Sequence, residues 1–169
     1  MEPARMAGVI ARGAAAGVAA SVAQAALGKS YEKLLLPPGE DSDLAPRLVR
    51  RIAERAGERV SHAEKWALGT AFHLGYGAFW GAGYAAARER WPVPPLAGGA
   101  LLGGFIYVIT FPRWGGAVRT GVVRPPDRRS DRMTAFGALV TLAFGVMTAL
   151  AYEGMRAPDA RDGGAGGPG

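Results

Sequence analysis

The sequence predicts an all-α fold, an integral membrane bundle of about four transmembrane helices with an amphipathic connector helix. Three observations carry this. Apolar blocks are segregated from arginine-rich connectors, a contrast that the mean hydropathy of +0.07 averages away. The blocks are built from Ala, Gly, Leu and Val, with 26 Gly in the chain. A glycine inside a soluble helix costs about 1 kcal/mol relative to alanine, whereas membrane helices use small residues for close packing. One block, Trp66 to Ala87, runs 22 residues without a charge, enough to cross a hydrocarbon core roughly 30 Å thick. At 169 residues the chain is the size of one domain. We expect residues 1–156 to form a single membrane-embedded unit, with helices at about 6–36, 62–89, 94–111 and 131–153, a connector helix at about 44–59 and a disordered tail at 157–169.

The first block starts near Met6, is broken by Arg12, and extends through Leu36 until Pro37 and Pro38 stop it. Arg5, the Ala/Gly stretch and the pair Ala23 and Ala25 also have the outline of a secretory signal peptide, against which Glu2 and the low hydrophobicity argue. The connector opens with the turn and cap residues Gly39, Asp41, Ser42 and Asp43. It then sets Leu48, Val49, Ile52 and Ala56 on one stripe and Arg47, Arg50, Arg51, Glu54, Arg55 and Glu58 on the other. Such a helix lies on a membrane surface or on the bundle, or is a solvated connector held by Arg and Glu pairs.

Ser61 and Glu64 have the spacing of a capping box, so the next helix begins at His62. Trp66 stands near one interface and Tyr84 and Trp91 near the other. After Pro92, Pro94 and Pro95, the block Leu96 to Phe111 has 16 residues, which spans only if the bilayer thins or its ends are buried in protein. Gly115 to Asp131 reads as an exposed basic loop dipping into the interface at Val118, Val122 and Val123. Ser130 or Asp131 then caps a last block, Met133 to Tyr152, 20 uncharged residues closed by Glu153.

The net charge is +6 with no cysteine, which excludes disulfides and thiolate chemistry. The basic balance suits topogenic signals and anionic lipid headgroups better than nucleic acid, for which no motif is present. Fourteen of the 20 Lys and Arg fall on the side of the first and third connectors; by the positive-inside rule that side is cytoplasmic and both termini face away from it.

Two stretches resemble the YagU-like family of bacterial inner-membrane proteins. One is the Gly/Ala helix running through Lys29 and Glu32 into Leu36, Pro37 and Pro38. The other runs from His73 through Phe79, Gly83 and Tyr84 to Phe111 and Pro112. The resemblance covers about two thirds of the chain. It implies a small multi-helix inner-membrane protein linked to survival of acid stress, and it places the first loop outside, opposite to the charge count. Gly39 stands where the family pattern has a basic residue.

No catalytic signature is present: no Cys, no paired His at metal spacing, no phosphate loop and no Gly-x-Ser-x-Gly elbow. No catalytic, cofactor-binding or metal-ligating residue is therefore assigned, and no enzyme activity is expected. His73 sits a third of the way into the best span, on a stripe with Tyr76, Trp80 and Tyr84. An ionisable group at membrane depth usually faces the bundle interior. His73 is thus a candidate pH sensor or a neutral imidazole bonded to a neighbouring helix, the latter preferred. Lys29 and Glu32 can pair with each other or with His73, and Glu153 can simply mark a helix end. Gly13 and Gly17 (continuing to Ser21), Gly77 and Gly81, and Gly99 and Gly103 have the spacing of close-packing faces, used within the bundle or in a homo-oligomer. The function expected is a non-enzymatic multi-pass protein of the inner membrane, with the bilayer and its anionic lipids as partners and acid or envelope stress as its setting. The alternative is a subunit of a small oligomeric channel or transporter.

Overall fold

A computed structural model describes residues 3–36 and 43–162, with side chains to Arg156. The described residues are helical with short connections and no strand: α1 Pro3–Leu35, α2 Leu44–Arg55, α3 His62–Arg90, α4 Pro95–Thr110, α5 Gly116–Arg119, a 3-10 turn Pro126–Arg128 and α6 Asp131–Asp162. The expected stop at Pro37 and Pro38 and the turn residues Gly39, Asp41 and Ser42 lie outside the described residues, as does the tail beyond Asp162.

Four long helices make the bundle, and small residues set their register. In the antiparallel pair α1 and α3, Gly13 lies opposite Gly81, Gly17 opposite Gly77, and Ser21 opposite His73. A Cβ on Gly17 would sit 2.7 Å from the Gly77 carbonyl carbon and 3.0 Å from the Gly81 Cα. The pair α4 and α6 repeats the device: a Cβ on Gly99 would lie 2.7 Å from the Gly145 carbonyl oxygen, and one on Gly103 2.6 Å from the Leu142 Cα. Backbones this close gain dispersion contacts that larger residues would block. The glycine spacings thus serve packing within one chain.

α1 also packs antiparallel along α6, where Gln24 Nε2 donates to the Val140 carbonyl at 2.8 Å. Around the bundle the order is α3, α1, α6, α4. The circuit closes between α3 and α4 only near the turn that joins them, through Trp80 edge-on to Phe105 and Tyr84 against Gly98. Near the chain termini Val9, Ala16, Tyr84, Ala85, Ala149 and Tyr152 form the core. Phe111, Val122 and Val123 form another at the opposite end, with Leu44 and Leu48 of α2 against them.

Several expectations are corrected. α1 starts earlier than expected, at Pro3. α2 ends at Arg55 because Gly57 turns with a positive φ of 76°. Asp43 does not cap α2; its carboxylate takes Lys29 Nζ at 2.9 Å. Helix α6 continues to Asp162, so 157–162 is helical, and Glu153 marks no helix end because it is drawn inward by Arg88 at 2.9 Å. Val122 and Val123 are buried against α2 and Phe111 instead of dipping into an interface. Gly121, also at φ 76°, turns the chain so that both face the bundle.

Two caps follow the sequence. Ser61 and Glu64 form the reciprocal box, at 3.2 Å to the Ser61 hydroxyl and 2.8 Å from the Ser61 amide. The amide bond, seconded by the hydroxyl contact, holds the Glu64 carboxyl below its ordinary range. The carboxylate half of the box is therefore complete above the ordinary value and weakens as pH falls through the lowered one, while the Ser61 hydroxyl keeps its bond from the Glu64 amide. Ser130 Oγ accepts from the Met133 amide at 3.2 Å to start α6.

Candidate functional site

Two adjoining spaces at the end of the bundle that carries α2 and α5 are the candidate site. The first surrounds His73. Where α3 and α4 part below the Trp80–Phe105 contact, a half-open cavity of about 410 Å³ lies between Phe72, His73 and Tyr76 on one side and Ile106 and Ile109 on the other. Leu44 and Leu48 of α2 and Val122 of the loop line its outer end. The aromatic wall is continuous: Phe72 stacks on Tyr76, and Tyr76 meets Trp80 edge-on, each at 5.8 Å between centroids. On the far side of His73 a second hollow, also about 410 Å³, shares Ser21, Gln24, His73 and Val140 with the first and reaches Lys29, Asp43 and Trp66.

His73 Nε2 lies 3.3 Å from the Ser21 carbonyl oxygen. A carbonyl only accepts, so Nε2 carries the proton and a neutral ring leaves Nδ1 as its acceptor. Ser21 is 1 % exposed, and its hydroxyl is directed back to the His73 carbonyl at 3.5 Å. The histidine is thus fixed across the α1–α3 seam by the same close approach that the glycines permit. Lys29 binds Glu32 at 3.1 Å and Asp43 at 2.9 Å. Its eight-residue separation from Ser21 places that pair roughly 12 Å further along α1, so the structure brings Lys29 to Asp43 instead of to His73.

The second space is a cleft of about 430 Å³ between α2 and the loop joining α4 to α6. Arg47, Arg50 and Arg51 line one wall and Arg124 and Arg129 the other, over a floor that includes Leu44, Val118 and Val122; among the described residues no carboxylate lines it. Arg129 is a fixture of the fold. Its Nε donates to Thr134 at 2.9 Å and Nη1 to the Phe111 carbonyl at 3.1 Å, with the guanidinium over the Phe111 ring. The amphipathic pattern of α2 announced its arginines, whereas their meeting with Arg124 is set by the turn at Gly121 and has no local sequence signal.

At the opposite end a polar cluster that the sequence did not reveal ties α3 to α6. Arg88 pairs with Glu153 at 2.9 Å, and Arg156 with Glu89 at 3.2 Å and with Glu153 at 3.4 Å. Tyr152 Oη donates to Glu89 at 3.3 Å. Among the described residues no three His, Asp or Glu side chains converge as a metal site. Comparison with protein-family models, curated proteins and solved structures gives no match to this chain.

Proposed function

We propose that the chain is a non-enzymatic, multi-pass protein of a bacterial inner membrane, crossing it four times through α1, α3, α4 and α6. One observation carries the reading: small residues make the closest helix contacts, and many large apolar side chains are left on the outside of the bundle. Leu101, Phe79 and Leu96 are 67, 66 and 61 % exposed, while Ala16, Ala85 and Ala149 are fully covered and the closest helix approaches are made by glycine. Burying one large apolar side chain gains about 1.5–3 kcal/mol, and a whole domain is stable by about 5–15 kcal/mol. An exterior of this make-up is therefore disfavoured in water and neutral in hydrocarbon.

Two helices, α1 and α6, are long and apolar enough to cross a membrane by themselves, and their most apolar windows are only 33 and 39 % buried. A soluble core helix of that hydropathy would be mostly covered. α3 has the length but a milder, Gly- and Ala-rich composition, and α4 has 16 residues; both accord with spanning as part of a bundle. The charges gather at the two ends of the bundle. The excess at the α2 and α5 end argues for that end being cytoplasmic. The resemblance to the YagU-like family supplies acid or envelope stress as the setting.

Reporter fusions after Arg51, Arg90, Arg124 and the C-terminus, with a check for N-terminal processing, test the reading. We expect an unprocessed chain with cytoplasmic signals after Arg51 and Arg124 and external signals after Arg90 and at the C-terminus. The inverse alternation would keep four spans and reverse the orientation; a soluble or processed chain would refute the proposal.

A further inference from the structure

We propose that the chain holds one anionic phospholipid at the α2 and α5 end, with its phosphate in the arginine-lined cleft and an acyl chain in the adjoining His73 cavity. The inference rests on the membrane reading above and names a ligand class for its candidate site. Five guanidinium groups gather around one small space, and among the described residues no carboxylate lines it, so the cleft is a place of positive potential that attracts an anion. Arg129 is held by Thr134 and Phe111, and Arg50 lies 3.7 Å from Glu54. Arg51 and Arg124 form no hydrogen bond or ion pair with the described residues. Two arginines left open on facing walls suit a phosphate, whose oxygens match the guanidinium fork.

The neighbouring space decides which phosphate. Leu44 and Val122 line both the arginine cleft and the His73 cavity, so the two spaces adjoin, with these apolar side chains as the wall between them. The cavity beyond is walled mainly by Ile106, Ile109, Phe72 and Phe144. Free inorganic phosphate would fill the cleft and leave that apolar space without a partner; a phospholipid matches both. Trp114 and Trp66, 58 and 37 % exposed near the same end, are of the type that stands at the headgroup level. A basic pocket between helices beside the headgroups is a recurrent way of holding anionic lipid.

The full chain, purified in a neutral detergent, is unfolded thermally in the presence of phosphatidylglycerol, phosphatidylcholine or inorganic phosphate, and the midpoint is titrated against each. Phosphatidylglycerol is expected to raise the midpoint, and the other two to leave it near its starting value. The Arg51→Gln/Arg124→Gln variant should weaken the apparent affinity for phosphatidylglycerol by about tenfold or more. The Arg119→Gln/Arg128→Gln variant removes the same charge from exposed positions outside the cleft and should keep it. Equal shifts with phosphatidylcholine would overturn the proposal. So would a full shift with inorganic phosphate, or equal losses in the two variants. A carbonate wash of cell membranes separates the two readings. A chain that stays in the membrane without discriminating lipids refutes the site alone, and a chain that washes off refutes the membrane reading and the lipid site with it.

Discussion

His73 shows how one side chain is constrained by the backbone around it. The Ser21 carbonyl at 3.3 Å fixes the Nε2 proton, so protonation of the ring would add a donor at Nδ1 without disturbing the interhelical bond. The role we assign is structural, a ring N–H donor joining α1 to α3. A glutamine amide can supply the same donor. His73→Gln should therefore keep stability within about 1 kcal/mol, the net worth of one hydrogen bond, and leave acid survival unchanged. Measured by thermal unfolding and by survival at low pH, a lost acid response with retained stability would assign sensing to His73 instead. That this histidine faces another helix was legible from its depth in an uncharged block. Its partner was not, because a backbone carbonyl carries no mark in the sequence. The same limit hid Gln24 with Val140 and Arg129 with Phe111. Lys29, legible as one of a pair with Glu32, gained Asp43 only through the fold.

Among the elements, the glycine faces were the most legible feature and their partners the least. Gly13, Gly17, Gly77 and Gly81 could be picked out by spacing, yet the register that sets Gly17 against Gly77 depends on two helices separated by α2. Gly145, which receives Gly99 and Gly103, stands in a row of small residues, Gly137, Thr141, Gly145 and Ala149, that has no second glycine four residues away to mark it. Likewise Gly69 escaped notice, although Pro46 of α2 packs on it with its nitrogen 2.9 Å from where a Cβ would be. Helix α2 is held on the bundle there and by Leu44 and Leu48, while Ile52 remains 56 % exposed. The consequence for α1 and α3 is specific. Gly17→Val puts a branched side chain into backbone that has no flexible atom to yield, and overpacking of this kind costs about 1–3 kcal/mol or more. Gly75 on the same helix as Gly77 meets nothing within 4 Å, so Gly75→Ala should be neutral or slightly stabilising through helix propensity. Unfolding midpoints of the two variants in detergent check the pair; equal effects would show that the α1–α3 approach is not the determinant.

At the scale of the molecule the two ends of the bundle are built for different tasks. Near the termini α3 and α6 flank α1 and meet edge-on through Tyr84 and Tyr152, and the crossed pairs Arg88–Glu153 and Arg156–Glu89 close the end beyond that contact. At the other end α3 and α4 part, and the space between them is cavity. Arg88 and Glu153 are 16 and 26 % exposed, between a surface pair worth about 0–1 kcal/mol and a buried one whose breaking costs about 3–5. Arg88→Gln and Glu153→Gln should each cost about 1–2 kcal/mol, with the double variant costing less than their sum by about 0.5 kcal/mol or more. Additive losses would mean that the two groups do not act as a pair. The clamp and the lipid site share no lining residue, and sites that far apart behave independently. Arg88→Gln should therefore lower the unfolding midpoint while leaving intact its rise with phosphatidylglycerol over phosphatidylcholine. A variant that loses both would show that closing the termini end sets the opening between α3 and α4, making the bundle one mechanical unit.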